Sequence, residues 1–537
     1  MNEREYNLLH EKWIVVMKLD GTTDEVSLLE LFRSAPELRG LAGELPTQDV
    51  AMLRLLLAIL HAVFGRYDLD GNFAPLASPS EALKRWKSLW DKGTLPMSII
   101  EDYLQHYEDR FWLFHPERPF YQVAKLGKAT DYTAAKLNGE LSESNNKLRL
   151  FPQRTGNVKN TLPYAEAARW LLYVNSFDDT SAKPKTKGLP SPGAGWLGKL
   201  GLVTAGGDNL LETLLLNLVF LKDGEDKLWG KEKPVWEAET VKPDERTKIT
   251  IPDNPSELLT LQSRRLLLKH EGNWVTGYYL LGGDFFPKEN AISEQMTLWQ
   301  NAAKKKTDPP EYHPKRHDPA RQLWRDFSAL VGQAEQGNNE RRPGVIGWLS
   351  RLKADNIITR THFRFQTAAV KYGDKDFFVD DIFSDSLSFN ADLLTNLGKN
   401  WVHRIINEIN ATDKLVDQVR WLAHNLARAT GDGDKESLKK KKNAAKEQAY
   451  FRLDAPFRQW LEGIVPERDS MEETCKQWRE QARRIVRELG KELVTQSGPQ
   501  AFVGRVVVDK KKKNKKQRYT SPEAYNQFLI RTSIGKS

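Results

Sequence analysis

The chain has 537 residues, 39% of them hydrophobic and 10% aromatic, which is enough apolar material for two or three domain cores. Its single cysteine, Cys475, excludes an internal disulfide and a cysteine-based zinc site, and this favours a reducing cytoplasm. The net charge of +9 favours a polyanionic partner. We expect no membrane partner, because no secretory signal follows the charged N-terminus and the most apolar windows, Leu53–Phe64 and Leu210–Leu221, are too short to span a bilayer.

The first part of the chain predicts helices beside a small sheet. Glu11–Leu19 and Glu25–Leu31 flank a polar turn and predict two strands, the second running into a short helix. Capping and stop residues then predict three helices, Thr47–Phe64, Ser80–Lys92 and Met97–Asp109. The aromatic and proline-rich stretch Arg110–Gln122 predicts a rigid turn, in which His115 is structural.

A glycine-rich stretch, Gly188–Gly201, carries five glycines in fourteen residues. Without a Cβ, its backbone allows close approach by another molecule, and exposed N–H groups can bind phosphates or base edges. Within it, Gly193–Gly198 has the pattern GxGxxG, but no strand precedes it and no helix opens on it, so a dinucleotide site is not predicted. The alternative is a flexible surface loop.

Two hairpins are predicted further along. Leu258–His270 and Trp274–Leu281 flank a turn at Gly272, and Ile357–Lys371 and Asp376–Asp381 flank Tyr372–Gly373. Between them lies a basic loop, Lys304–Pro319. Its His313 and His317 have helical spacing, but the intervening Pro314 argues against a zinc site.

From Phe389 onward, long amphipathic segments predict a helical domain. We expect an α+β protein with a large mixed N-terminal domain, 1–388, and a C-terminal antiparallel four-helix bundle, 389–537. The four predicted helices are Leu393–Asn410, Lys414–Ala429, Ala444–Gly463 and Met471–Thr495.

The sequence offers little catalytic chemistry. The best acidic cluster surrounds Asp380, Asp381 and Asp385, but adjacent aspartates on a strand point to opposite faces, which suits a two-metal nuclease poorly. No Walker loop, serine elbow or cysteine–histidine pair is present. We therefore expect a non-enzyme without cofactor or metal. The alternatives are a metal-dependent nuclease and a non-specific nucleic-acid-binding scaffold.

Several motifs together resemble one family. They occur in order along nearly the whole chain, and they are similar to the large subunit of the type I-E Cascade complex, the CasA family. The motifs are Asn7–Leu9 with Lys12–Ile14, Phe114–Gln122, Leu150–Gly156 before a helix at Ala165–Tyr173, Pro192–Gly201, Leu259–Arg265 and His317–Arg325.

The resemblance implies an RNA-guided antiviral defence function. Such a subunit recognises the protospacer-adjacent motif (PAM) of invading duplex DNA, helps to open the duplex and recruits a helicase–nuclease, while base pairing with the guide supplies the remaining specificity. The implied partners are the other Cascade subunits with their CRISPR RNA (crRNA), double-stranded target DNA and the helicase–nuclease, in the cytoplasm.

The resemblance also implies site residues. The glycine-rich loop would contact the minor groove, which is about 6 Å wide, together with an inserted lysine. The implied PAM residues are Gly193, Ala194, Gly195, Trp196 and Lys199, with Lys269 or Lys288 as the inserted lysine.

The family inserts a glutamine-bearing hairpin as a wedge beneath the PAM. The matching hairpin here has no glutamine, so Lys375, Asp376 or Phe377 is the candidate, or Gln366 if the register differs. The loop residues Phe151, Pro152, Gln153 and Arg154 match a family loop that docks against the crRNA-bearing core.

The fourth predicted helix carries a basic stripe. Arg483 and Arg487 are i,i+4 neighbours, Arg484 lies beside them, and Glu480 and Glu488 offset part of the charge. Such a stripe can follow the phosphate backbone of the displaced strand, and an ordinary solvated helix face is the alternative. Four other arginines are expected to be exposed on the bundle, namely Arg404, Arg420, Arg428 and Arg479.

Overall fold

A computed structural model of the chain describes residues 4–127, 129–139, 141–142, 147–148, 154, 156–180, 188–243, 246–303, 305, 308–332, 341–509 and 515–533. The chain divides into two compact units, the first comprising Met1–Pro319, Ala329–Gly332 and Asn339–Ser386, the second including Ala320–Ser328 and Leu387–Ser537. The fold is thus a mixed α/β region with small sheets followed by a helical region.

The sheets of the first unit are small and antiparallel. In one, Ile14–Lys18 lies between Thr23–Val26 and Leu38–Leu41. In the second, Arg264–Glu271 pairs with Trp274–Gly282, which pairs in turn with Thr130–Thr133 and Leu162–Pro163. In the third, His362–Tyr372 lies between Thr204–Gly206 and Val379–Asn390. The remaining strands form two-stranded pairs: Glu5–Asn7 with Trp112–Phe114, Leu141–Ser142 with Lys147–Leu148, and Trp299–Asn301 with Tyr312–Pro314.

Helices pack around these sheets. They are Leu28–Ser34, Pro46–Phe64, Pro79–Lys92, Met97–His106, Ala134–Leu137, Tyr164–Phe177, Leu210–Asn217, Pro255–Leu259, Phe327–Val331 and Gly344–Ala354. Pro46–Phe64 is long and apolar enough to cross a membrane by length and composition, but 94% of its apolar window is buried inside the protein. It is therefore the core helix of the first unit.

The predicted elements hold with local corrections. The strand–turn–strand at the start, the helix ending at Phe64 and both hairpins are confirmed. The cap of the next helix is Ser78, not Ser80, because the Ser78 hydroxyl accepts a hydrogen bond from the Glu81 amide at 3.2 Å. The apolar window Leu210–Leu221 is helical only from Leu210 to Asn217.

The second unit is built on three long helices, Lys399–Ala429, Lys435–Glu462 and Met471–Gln496, with the shorter Gly498–Val503 and Ser521–Arg531. Its strands, Arg505–Asp509 and Lys515–Tyr519, pair antiparallel. The segment Ala320–Ser328, which the sequence analysis placed in the N-terminal domain, packs within this unit: Trp324 stacks on Phe457 with ring centroids 4.2 Å apart.

The prediction of two separate helices at Leu393–Asn410 and Lys414–Ala429 is wrong. The residues between them, 411–413, include neither proline nor glycine, so nothing in the chain interrupts the helix. The Thr412 hydroxyl donates to the Glu408 carbonyl at 2.7 Å, and Asp413 accepts from the Tyr450 hydroxyl at 2.7 Å. One helix of 31 residues results.

We expect Trp478→Ala to destabilise the second unit by about 3–5 kcal/mol, because a large buried side chain leaves a cavity. Trp478 is 1% exposed, meets the ring of Phe457 at 4.9 Å and donates to the Thr412 hydroxyl at 3.0 Å. The matched control is Phe451→Ala, because Phe451 is 82% exposed and should change stability by less than about 0.5 kcal/mol. Chemical denaturation measures both, and similar losses would contradict this packing.

Candidate nucleic-acid interface

One buried guanidinium anchors the glycine-rich stretch. Arg264, at the start of its strand, is fully buried and donates to the Asp178 carboxylate at 2.6 Å. It also donates to the backbone carbonyls of Asp178 at 3.2 Å, Asp179 at 3.0 Å and Gly193 at 2.8 Å. Arg264 therefore ties the end of the helix Tyr164–Phe177 to the glycine-rich stretch.

A second buried ion pair supports the same segment. The Lys136 ammonium lies 2.8 Å from the Asp179 carboxylate, and both side chains are buried. Burial disfavours the charged lysine, but Asp179 and Asp178 outweigh it and raise the pKa of Lys136 above its usual value. Arg264 and Lys136 thus hold the neighbouring carboxylates of Asp178 and Asp179.

Most glycines of the stretch serve close packing, which corrects the expectation of a long exposed loop. A Cβ on Gly195 would collide with the carbonyl of Ser176, and one on Gly198 would collide with the hydroxyl of Tyr372. Ala194 and Trp196 are buried as well. Apart from the half-buried Lys199, only Gly188–Gly193 is exposed or half-exposed, so the predicted donor surface is confined to that part.

The tip of the hairpin formed by His362–Tyr372 and Val379–Asn390 contacts residues 177–180. At the end of the first strand, the Tyr372 hydroxyl donates to the Phe177 carbonyl at 2.6 Å. Thr180 donates through its amide to the Asp376 carbonyl at 2.9 Å and through its hydroxyl to the Lys375 carbonyl at 3.1 Å. The structure therefore brings the wedge candidates beside the glycine-rich stretch, although they are far apart in the chain.

The wedge candidates differ in availability. Phe377 is 45% exposed, Lys375 is exposed, and neither side chain forms an ion pair or ring contact with the part of the chain that the structure describes. Asp376 is half-buried and its carboxylate binds Arg316, with oxygen–nitrogen distances of 3.0 and 3.1 Å. Gln366 lies in mid-strand opposite Thr204 and not at the tip.

Lys199 lies beneath this surface. Its ammonium donates to the Pro192 carbonyl at 3.2 Å, and the side chain packs against Gly193. Burial, together with the positive charges of Arg264 and Arg316, lowers the pKa of Lys199 to about 8. Lys199 therefore titrates close to neutral pH.

The two candidates for the inserted lysine lie elsewhere. Lys269 is five residues beyond Arg264 on the same strand, roughly 16 Å away at the rise of a β-strand. Its ammonium forms an ion pair with Asp131 and faces the ring of Tyr279 at 5.1 Å. Lys288 begins the short helical turn Lys288–Ser293, and its side chain lies outside the described part.

Of the docking-loop residues, Phe151, Pro152 and Gln153 lie outside the described residues. Arg154 forms an ion pair with Glu166 of the helix Tyr164–Phe177, with nitrogen–oxygen distances of 2.6 and 2.5 Å. The Arg154 guanidinium is therefore already bound to a carboxylate of the first unit.

The basic stripe of the second unit is less exposed than predicted. Arg479 binds the buried carboxylate of Glu408 through its Nε at 3.0 and 2.8 Å. Arg487 donates to the Thr532 hydroxyl at 3.2 Å and to the Leu529 carbonyl at 3.3 Å. Arg483 is half-buried, and Arg484 is the exposed member of the predicted trio. The other arginines predicted to be exposed, Arg404, Arg420 and Arg428, are only half-exposed.

The remaining candidates have structural partners. His115 is buried, and its Nδ1 accepts hydrogen bonds from the amides of Glu117 and Arg118 at 3.1 and 2.9 Å. Asp380 pairs with Lys371 at 2.5 Å. Within the described ranges, no group of three or more His, Cys, Asp or Glu side chains could hold a metal ion.

Comparison with known proteins identifies the family. The family model described as CRISPR-associated protein Cse1 matches residues 7–489. The chain belongs to this family. The resemblance to CasA is confirmed by a curated relative, CasA/Cse1 of Thermus thermophilus, which is 33% identical over 332 residues. That match covers 61% of this chain and spans about 60% of the relative's length.

Solved structures of this family share the fold. Thermobifida fusca Cse1 is 31% identical, with 98% of this chain and 97% of that chain covered and a TM-score of 0.82. A chain from a structure titled "CRISPR RNA-guided surveillance complex" is 16% identical, with 92% of this chain and all of that chain covered and a TM-score of 0.65. The latter likeness concerns the fold alone.

Sequence reasoning missed Arg264, Arg316 and Thr180 as site residues. Arg264 belongs to a motif quoted for the family, but nothing in its spacing shows that it binds Asp178. Arg316 lies in the basic loop, where a charged residue ordinarily contacts solvent. Only the folded chain places these residues around the hairpin tip.

We expect Gly195→Ala to be far more destabilising than Gly193→Asn. The new Cβ at position 195 would meet fixed backbone atoms of Ser176 and Phe177, at a cost of about 1–3 kcal/mol. At position 193 the backbone φ is +65°, which asparagine tolerates, and the nearest atoms are the flexible end of Lys199 at 3.6 Å. Thermal unfolding measures the stability of the two variants, and equal losses of stability would contradict the packing explanation.

Proposed function

We propose that this chain is the non-catalytic target-recognition subunit of a type I-E Cascade complex, which contacts the PAM of duplex DNA and helps to open the duplex in antiviral defence. Family membership supports the assignment to a CRISPR system. The proposed partners are the other Cascade subunits with crRNA, target DNA and the helicase–nuclease, in the cytoplasm. The fold shared with a chain of an RNA-guided surveillance complex supports assembly with such subunits.

The observation that carries the proposal is the convergence of two elements on one surface. Residues 177–180 bind both elements: the Gly195 amide donates to the Asp178 carbonyl at 2.8 Å, and Phe177 and Thr180 bind the hairpin. Arg264, which binds the Asp178 carboxylate, also binds the Gly193 carbonyl. A backbone edge without a side chain suits the narrow minor groove, and a protruding tip suits insertion between base pairs. Recognition of the PAM and opening of the duplex would then occur at neighbouring positions on the protein.

Among the wedge candidates, we assign the inserted residue as Phe377. Asp376 is neutralised by Arg316, and a carboxylate would be repelled by the phosphates. Lys375 can contact a phosphate but cannot replace the stacking lost when base pairs separate. An exposed aromatic ring can supply that stacking.

For the other two contacts, with the crRNA-bearing core and with the displaced strand, we propose fewer residues than the sequence predicted. We assign docking on the crRNA-bearing core to the 151–154 loop, with Arg154 positioned by Glu166. Contact with the displaced strand falls chiefly to Arg484, because Arg483 and Arg487 are partly withdrawn from solvent. A shallow groove of about 460 Å³ between the helices Met471–Gln496 and Ser521–Arg531 carries these three arginines and Lys491.

We expect Phe377→Ala in the assembled, crRNA-loaded complex to retain motif-dependent binding but to open the duplex about 5- to 100-fold less. This range corresponds to about 1–3 kcal/mol of stacking per base. The measurement uses duplexes that differ only in the flanking motif, with a fluorescent base analogue beside it to report opening. The matched control is Phe73→Ala, since Phe73 is 69% exposed and remote in sequence from both elements.

Two outcomes would contradict the assignment. Equal binding of the wild-type complex to every flanking motif would overturn the recognition function and favour a scaffold. Cleavage of duplex by the chain alone with Mg²⁺ or Mn²⁺, lost on changing Asp380 and Asp381, would establish a nuclease instead.

We also expect the DNA affinity of the complex to carry a titration near pH 8 that comes from Lys199. The lowered pKa of Lys199, about 8, leaves the side chain charged at pH 7, and the positive charge is lost as the pH rises through about 8. Ordinary lysines stay charged to about pH 10. Lys199→Arg keeps its charge throughout. Between pH 7 and pH 9 the wild type should lose about two- to fivefold more affinity than the arginine variant. If the affinities of the wild type and the arginine variant fall in parallel between pH 7 and pH 9, Lys199 does not contribute to DNA binding.

A further inference from the structure

The hairpin tip is closed by an ion pair that joins it to a different part of the chain. The guanidinium of Arg316, at the end of the basic loop before Pro319, binds both carboxylate oxygens of Asp376 at 3.0 and 3.1 Å. The same guanidinium lies 5.6 Å from the ring centroid of Tyr372. Both partners of the pair are partly solvent-exposed.

The cations nearest this pair have partners or are partly buried. Arg264 is fully buried and offset by Asp178 at 2.6 Å, and Lys199 is half-buried against Gly193. The Asp376 carboxylate therefore occupies the exposed guanidinium of Arg316, in the two-pronged geometry with which arginine also binds a phosphate.

The backbone of the tip is held in an unfavourable conformation. Lys375 and Asp376 have φ values of 52° and 60°, in the left-handed region that is unfavourable for a non-glycine residue. The bonds from Thr180 to the carbonyls of both residues and the Arg316–Asp376 pair hold this conformation. Release of the ion pair would remove one of these restraints.

We propose that the Asp376 carboxylate holds the place of a nucleic-acid phosphate on Arg316, and that a phosphate of the bound duplex displaces it and frees the hairpin tip. This inference rests on the proposed function, since it concerns the same surface. The exchange has a small free-energy cost, because a partly exposed ion pair contributes little to stability and Arg316 gains an equivalent partner. The freed tip can then insert Phe377. Asp376 therefore acts as an autoinhibitory contact that restrains the tip until DNA is present.

The test compares Asp376→Asn with Asp380→Asn. Asp380 lies on the same hairpin and pairs with Lys371 at 2.5 Å, so both variants remove one negative charge from a solvent-accessible ion pair. The full-length subunit is titrated with a fluorescent duplex lacking any selected motif, at several salt concentrations. We expect Asp376→Asn to bind about five- to tenfold more tightly than Asp380→Asn at low salt, because Arg316 is freed for a phosphate. The double variant with Arg316→Ala should lose this gain.

Hydrogen–deuterium exchange gives a second readout. The amide of Thr180 should exchange faster in Asp376→Asn than in wild type or Asp380→Asn, and adding the duplex to wild type should accelerate it similarly. Equal affinities for the two variants together with unchanged exchange at Thr180 would overturn the inference. Failure of the proposed function is seen separately, as loss of motif dependence in the assembled wild-type complex, because the exchange and affinity measurements use the subunit alone.

Discussion

The geometry of the candidate interface depends on one buried charge, the guanidinium of Arg264. A fully buried arginine is tolerated only if its charge is paired and its donors are satisfied, and here Asp178 and four backbone carbonyls do both. Removing the Asp178 carboxylate would leave an uncompensated charge, at a cost of about 3–5 kcal/mol. The end of the helix Tyr164–Phe177, residues 178–180 and the edge at Gly193 are therefore fixed as one piece, and the hairpin tip is positioned by binding to that piece.

Close backbone packing explains why the glycine-rich stretch presents so little surface. Gly195 lies against the helix end and Gly198 lies against Tyr372, so these glycines bring main chains together inside the unit. The part of the stretch open to another molecule is short, and it adjoins a tip whose exposed groups are side chains. The candidate interface thus consists of a short backbone edge and an exposed aromatic side chain, and both lie beside the buried segment 177–180.

Local signals in the sequence predicted local structure well. Both hairpins and the core helix ending at Phe64 follow from turn residues and apolar spacing, and the ordered motifs identified the family. Tertiary partners were not predictable. Glycine spacing is the same for an exposed donor loop and for close packing, so the burial of Ala194–Gly198 left no signal. Likewise, nothing local shows that Arg479 binds the buried Glu408.

Net charge alone is a poor description of this interface. Around the hairpin tip, Arg264 is neutralised by Asp178 and Arg316 by Asp376, whereas the exposed Lys375 forms no ion pair with the described residues. Non-specific attraction to DNA scales with the number of phosphates that free cations can neutralise. If this surface contacts DNA as proposed, the two neutralised arginines would add little to that attraction. Discrimination between duplexes would then depend chiefly on the fit of the backbone edge and the tip.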